Sequence, residues 1–296
     1  MLVHGTFSSP ATWAQLVNEL ENDPEVSQRF QIWLFIYNSG NPVAYSAGIL
    51  ASTLQAVVAQ LDPDGTNRAL RNMVIAGHSQ GGLLTKLMAV HSGDTFWKHV
   101  ARKPIDQVQL DPAARDMLQR SLFYEPLPFV KRVVFMSTPH HRSYLSDFRV
   151  VSWISRLVKL PARLTKLTFD IATRGSDEFY LSSLNRMPTS LDNMASRNPF
   201  LQALSALPID PGVAANSIIA VRQKGLPKTG DDGVVRYESA HIDGVESELV
   251  VRSGHSVQET QEGIQELRRI LLHHVGQDSP DAVAGDAPGE SRVPPR

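Results

Sequence analysis

The sequence predicts an α/β fold, with a mostly parallel central sheet flanked by helices. Apolar, β-favouring runs at 30–37 (FQIWLFIY), 73–77 (MVIAG) and 130–137 (VKRVVFMS) read as strands buried on both faces, as a parallel sheet requires. Helical patterns separate them, and the resulting βαβα alternation implies crossover-connected parallel strands. A third observation says where the sheet acts: residues 73–90 pass from a strand through Gly77-His78-Ser79-Gln80-Gly81 directly into a helix. A serine on so tight a turn is pushed out of the sheet's edge. Glycine flanks it because a side chain at either position would strike the neighbouring strand or helix.

Residues 1–4 are strand-like. MLVHG reads as the end of a buried strand with almost no chain ahead of it, so a trimmed or mis-started chain is expected, with an upstream export signal as one thing it could have lost. Ser9-Pro10 starts a helix running to about Asn22, with Ser as N-cap and Pro at the first helical position. Asn41-Pro42 opens the next, its apolar positions falling at Ile49, Leu50, Leu54, Val57, Val58 and Leu61. A helix at 82–91 follows the serine turn, and a short one spans about Ala113 to Leu122 between proline breaks. The sheet resumes at 217–222 and 247–252, and an amphipathic helix at 257–274, capped by Ser256, closes the pattern. The expected organisation is a core of 1–140 and 213–275, an insertion at 141–212, and a tail at 276–296 whose Pro, Gly, Asp and Ala predict disorder.

At 296 residues and 42% hydrophobic, the chain can bury one large core. A formal net charge of -1 provides no general attraction to nucleic acid or to an anionic membrane. The absence of cysteine excludes disulfides and cysteine-based zinc sites but leaves the compartment open. No run reaches the roughly 18 apolar residues of a membrane span, and no signal peptide is evident.

Active residues of an open parallel sheet gather at the carboxyl ends of its strands, and three such ends carry complementary chemistry. Ser79 follows the strand at 73–77, Asp231-Asp232-Gly233 lies beyond the strand at 217–222, and His255 follows the strand at 247–252. A serine hydroxyl needs a base within hydrogen-bond reach, which is assigned to His255. The base needs a carboxylate to hold its tautomer. Asp232 is favoured because it directly precedes Gly233 in a tight turn, with Asp231 as the alternative. An oxyanion needs two preorganised donors, and the backbone N–H groups of Gln80 and Thr6 are placed to supply them. This chemistry requires no cofactor.

The pieces LVHGTF, AGHSQGG, STPH followed by an insertion, DDGVVRYESA and SGHS span residues 2–256 in one order. In these motifs the chain resembles a bacterial lipase or esterase of the α/β-hydrolase superfamily, with a helical cap or lid inserted at 141–212. That resemblance implies an acyl-enzyme mechanism on apolar acyl esters. Thioester or phospholipid hydrolysis and acyl transfer are alternatives through the same residues, and a non-catalytic hydrolase-like binding protein is a further one. Similar lipases often continue TPH with Gly-Ser, whereas here the chain reads His140-His141-Arg142-Ser143, which makes the entry to the cap bulkier.

Other histidines have plainer readings. His78 and His4 are expected to brace the serine turn and the oxyanion loop, and His241 precedes the last strand, at the wrong edge for a base. Neither His140-His141 nor the set His91, Asp94 and His99 has a complete metal-ligand pattern, so no metal is assigned. Between Arg142 and Arg174 seven Lys or Arg stand against Asp147 and Asp170, a local net charge of +5 interleaved with Trp153, Leu157 and other apolar residues. One reading is an ordinary cap with solvated charges. The other is a lid whose apolar face meets lipid or an acyl chain and whose basic rim favours an anionic interface, a transient contact. Phe7, Trp153 and Leu157 are the candidate substrate contacts.

Overall fold

The computed structural model describes residues 1–141, 178–180, 199–223 and 229–277. Among these residues six strands form one sheet: β1 (Leu2–Val3), β2 (Leu34–Phe35), β3 (Met73–His78), β4 (Val130–Met136), β5 (Ala214–Ala220) and β6 (Ser247–Val251). Their spatial order is β2-β1-β3-β4-β5-β6 and every pairing is parallel, so each connection must cross over one face of the sheet. Apart from single turns at Pro24–Ser27 and Tyr237–Ala240, the described α-helices are α1 (Ala14–Asn22), α2 (Val43–Leu61), α3 (Gln80–Leu87), α4 (Pro112–Leu122), α5 (Pro199–Ala206) and α6 (Gln261–Gln277).

Period-two alternation in the central strands feeds two separate cores. On one face Ile75, Val133 and Phe135 pack with Leu50, Leu54, Leu83, Leu87 and Leu118 of α2, α3 and α4. On the other, Val74, Ala76, Val134 and Met136 pack with Leu16 and Leu20 of α1 and Ile264, Leu267 and Ile270 of α6. Burial on both faces is why β3 and β4 read as unbroken apolar runs. Met73, Met88 and Met136 all pack in these cores.

Three sequence expectations are corrected. The run 30–37 pairs only at Leu34–Phe35, with Leu34 41% and Ile36 77% exposed, because β2 is an edge strand among the described residues and has a single neighbour. Ser256 does not cap the last helix. A short 3-10 turn at Val257–Glu259 intervenes, and Thr260 Oγ1 accepts instead from the Gly263 N–H at 3.1 Å. At 19 residues and a mean hydropathy of 1.3, α2 is by length and composition apolar enough to cross a membrane, contrary to the expectation of no such run. Here Val43, Ala47, Leu50, Leu54 and Val58 along it are buried, as suits a core helix.

The remaining starts follow local chemistry. Ser9 Oγ accepts from the Ala11 N–H ahead of the 3-10 turn Pro10–Trp13, and Asp111 caps α4 through the N–H groups of Ala113 and Ala114. Of the expected cap at 141–212, two described pieces lie on the core. Phe179 bridges to Ala101 and packs on Trp97, and α5 buries Leu201 and Leu204. The tail expected to be disordered lies outside the described residues apart from Gly276 and Gln277.

Candidate active site

The turn after β3 is built by close approach. A Cβ on Gly77 would meet the Gly81 carbonyl and the Thr85 hydroxyl of α3, and a Cβ on Gly81 would meet the Val3 and His4 carbonyls of the adjoining chain. With both positions bare, the strand reverses into α3 within one residue. Ser79 takes that reversal at φ 54°, a conformation that a non-glycine residue adopts only when its surroundings impose it. Its N–H still donates to the Met136 carbonyl at 2.8 Å, so the serine is held by the neighbouring strand.

His255 and Asp232 converge on it from the ends of other strands. His255 Nε2 lies 2.9 Å from Ser79 Oγ, and His255 Nδ1 lies 2.7 Å from Asp232 Oδ2. Asp232 is 3% exposed, and its second oxygen accepts from the N–H groups of Val234 and Val235 at 2.8 and 2.7 Å. Gly233, at φ 99°, makes the turn that brings these donors round. Asp231 points away: it accepts from Arg222 and Gln223 and lies 38% exposed at its side chain. A carboxylate fixed by backbone donors presents one oxygen in a constant direction, and so holds the imidazole with its proton on Nδ1 and its lone pair toward the serine.

Thr6 and Gln80 flank the same serine. The Thr6 hydroxyl donates to Gln80 Oε1, which joins the loop after β1 to the first turn of α3. Gln80 is wholly buried, and its backbone N–H opens the helix, where the first N–H groups have no intrahelical acceptor. Two supports for the Thr6 loop are non-local and left no signal in the sequence. Ser39 Oγ accepts from the Phe7 N–H at 3.0 Å, and the Tyr37 hydroxyl donates to the His4 carbonyl at 2.8 Å. His4 stacks on Tyr37 with ring centroids 4.4 Å apart. Phe7, at φ 50° and 53% exposed, stands at the surface beside this loop. Trp153 and Leu157 lie outside the described residues.

Residues 1–267 match the alpha/beta hydrolase family. The chain belongs to that family. No curated protein matches the sequence. Among solved structures, the mature lipase BlEst2 of Bacillus licheniformis superposes with a TM-score of 0.52 at 14% identity, covering 91% of this chain and 90% of that one. EstA of Clostridium botulinum superposes with a TM-score of 0.53 at 14% identity, covering 93% and 85%. Identities this low carry the fold alone.

In this α/β-hydrolase several other titratable groups singled out in the sequence have settings of their own. His241 contacts Glu248 at 2.6 Å and Asp243 at 3.3 Å, and the hydrogen bond to Glu248 raises its pKa. His91 binds Glu125 and Asp210, while Asp94 pairs with Lys98 at 2.8 Å. Among the described residues no three His, Asp or Glu side chains form a metal-holding group. His140, four residues after β4, is fully buried, and burial, then the nearby Lys86 ammonium, hold it well below its usual pKa. Glu238 lies exposed in a helical turn after the Asp232 loop.

Proposed function

We propose that this α/β-hydrolase cleaves carboxylic esters through a serine acyl-enzyme. The observation that carries the reading is the unbroken hydrogen-bond chain from Asp232 Oδ2 through His255 to Ser79 Oγ, at 2.7 and 2.9 Å, ending on a serine held at φ 54°. Ser79 Oγ attacks the acyl carbon as His255 Nε2 takes its proton. Asp232, anchored by two backbone N–H groups, stabilises the imidazolium and remains ionised. The Thr6 and Gln80 N–H groups receive the negative charge that develops on the former carbonyl oxygen. Collapse of the tetrahedral intermediate expels the alcohol, which takes the proton from His255. Water then repeats the sequence: His255 accepts its proton, the hydroxide oxygen joins the acyl carbon, and Ser79 leaves reprotonated with the free acid as product.

The apolar substrate reading is supported by Phe7, a large exposed hydrophobic residue next to the Thr6 loop. The 141–212 stretch, with its basic and apolar interleaving, serves in this reading as a cap that sets acyl length and meets a lipid interface. The deciding experiment is labelling by a fluorophosphonate together with hydrolysis of p-nitrophenyl esters from C2 to C16. Wild-type protein is expected to label and turn over, and Ser79→Ala to do neither while keeping its melting temperature. Full activity in Ser79→Ala excludes the mechanism. Absence of labelling in a folded wild-type protein favours a non-catalytic binding protein, and stronger turnover of thioesters or phospholipids than of simple esters moves the substrate class within the same chemistry.

A further inference from the structure

His78, directly before Ser79 in the chain, has no task in the proposed mechanism. Its Nε2 lies 2.8 Å from the backbone carbonyl of His255, 177 residues away. A carbonyl only accepts, so Nε2 carries the ring proton and Nδ1 is left as a bare acceptor, which is buried and without a partner. The ring is held on several sides. Trp13 meets it edge-on with centroids 6.4 Å apart, the His255 ring lies 4.8 Å away, and Gly5 passes so close that a Cβ there would sit 3.3 Å from His78 Nδ1. Burial, and then the neighbouring His255, pull its pKa down to about 3, so the neutral donor form persists through the range in which a histidine base works.

The His255 carbonyl accepts twice. The Val257 N–H, at 2.9 Å, closes the turn locally, and the His78 side chain ties the backbone of that turn to the strand that carries Ser79. Asp232 steers one end of the imidazole but does not set where its backbone sits. We propose that His78 is a positioning residue for the base: its Nε2–H fixes the His255 backbone against the serine turn, and so sets the distance from His255 Nε2 to Ser79 Oγ. This rests on the reading of Ser79 and His255 as nucleophile and base. A misplacement of about 1 Å in such a pair costs on the order of 100-fold in rate, so removal of the tie is expected to lower kcat and leave KM unchanged.

The test compares His78→Leu, His78→Asn and His78→Gln by kcat per active site, with sites counted by fluorophosphonate titration, alongside KM and melting temperature. A glutamine amide reaches the place of Nε2, an asparagine amide does not, and leucine has no donor. The expected result is a roughly 10- to 100-fold fall in kcat per site for Asn and Leu, with most of the loss recovered in Gln. A merely structural role would lower the melting temperature and the number of titratable sites but not kcat per site. Wild-type kcat per site in Asn overturns the proposal, as does a loss in Gln as deep as in Asn, and this pair decides even if His78→Leu fails to fold. Ser79→Ala, assayed in parallel, keeps the two readings apart: activity surviving there removes the underlying mechanism, whereas a dead Ser79→Ala beside an unaffected His78→Asn removes the positioning role alone.

Discussion

The Thr6 hydroxyl donates to Gln80 Oε1 across 74 residues of sequence, joining the loop after β1 to the first residue of α3. These two residues supply the proposed oxyanion donors, so the bond sets the spacing between two N–H groups that come from separate elements. Thr6→Val keeps the shape and the N–H but removes the tie. It is expected to lower kcat roughly 10-fold, less than the 10²–10³ that deleting an oxyanion donor outright costs. Thr6→Ser should restore activity. Steady-state kinetics on a short-chain ester check this, and an unaffected Thr6→Val would show that the loop is held without the bond.

The two adjacent aspartates are predicted to differ sharply. Asp232 meets His255 Nδ1 at 2.7 Å, whereas Asp231 is occupied by Arg222 and Gln223. Asp232→Asn is expected to reduce kcat/KM on the order of 10⁴-fold, through loss of the tautomer that offers a lone pair to the serine. Asp231→Asn breaks an exposed ion pair and should stay within about threefold, since such pairs contribute roughly 0–1 kcal/mol. Equal losses in the two variants would reassign the carboxylate.

Lys86 is 1% exposed, with its ammonium 3.4 Å from the Ser205 carbonyl in the last turn of α5. Burial pulls its pKa from 10.5 to about 8. The folded value lies below the unfolded one, so between those two pH values the unfolded chain binds the additional proton and stability rises with pH. Below about pH 8 the buried charge costs roughly 3 kcal/mol, since each tenfold loss of proton affinity on folding corresponds to about 1.4 kcal/mol. Lys86→Met keeps the apolar stem and is expected to be more stable than wild type at pH 7, by less than that amount because the contact with Ser205 is lost. It should also be flatter than wild type from pH 8 to 10.5. Urea unfolding at pH 7 and pH 10 on both proteins checks this, and parallel pH dependence would remove Lys86 as the cause.

Thr260, not Ser256, satisfies the start of α6. Thr260→Ala is expected to destabilise by about 1 kcal/mol, and Ser256→Ala by less than about 0.5. Chemical denaturation of the two variants distinguishes them, with a larger effect at Ser256 reversing the assignment.

The sheet was legible wherever burial is symmetric. At β3 and β4 both faces are covered, so an apolar run of the right length is itself the signature of a central parallel strand. The same inference failed at 30–37, because an apolar run does not report how many neighbours a strand has, and β2 has one. Capping was legible at Ser9, whose donor, the Ala11 N–H, lies two residues away, and misplaced at Ser256, where a 3-10 turn displaces the helix start by a few residues. Thr260 carried the same capping chemistry in the sequence.

What the sequence determined by itself was the order of chemistry along the chain: a serine on a glycine-flanked turn, then an aspartate, then a histidine, each just beyond a predicted strand. That much follows from local rules, since strand ends and tight turns are written in nearby residues. The tertiary structure decided what depends on register between distant strands. It set Asp232, already favoured over Asp231, at 2.7 Å from His255 Nδ1, joined Thr6 to Gln80, and brought the His78 ring to the His255 carbonyl. Hydrogen bonds have a tolerance of a few tenths of an ångström. Positions separated by 23, 74 and 177 residues come within that tolerance only when the pairing of β1, β3, β4, β5 and β6 has placed their loops at one edge.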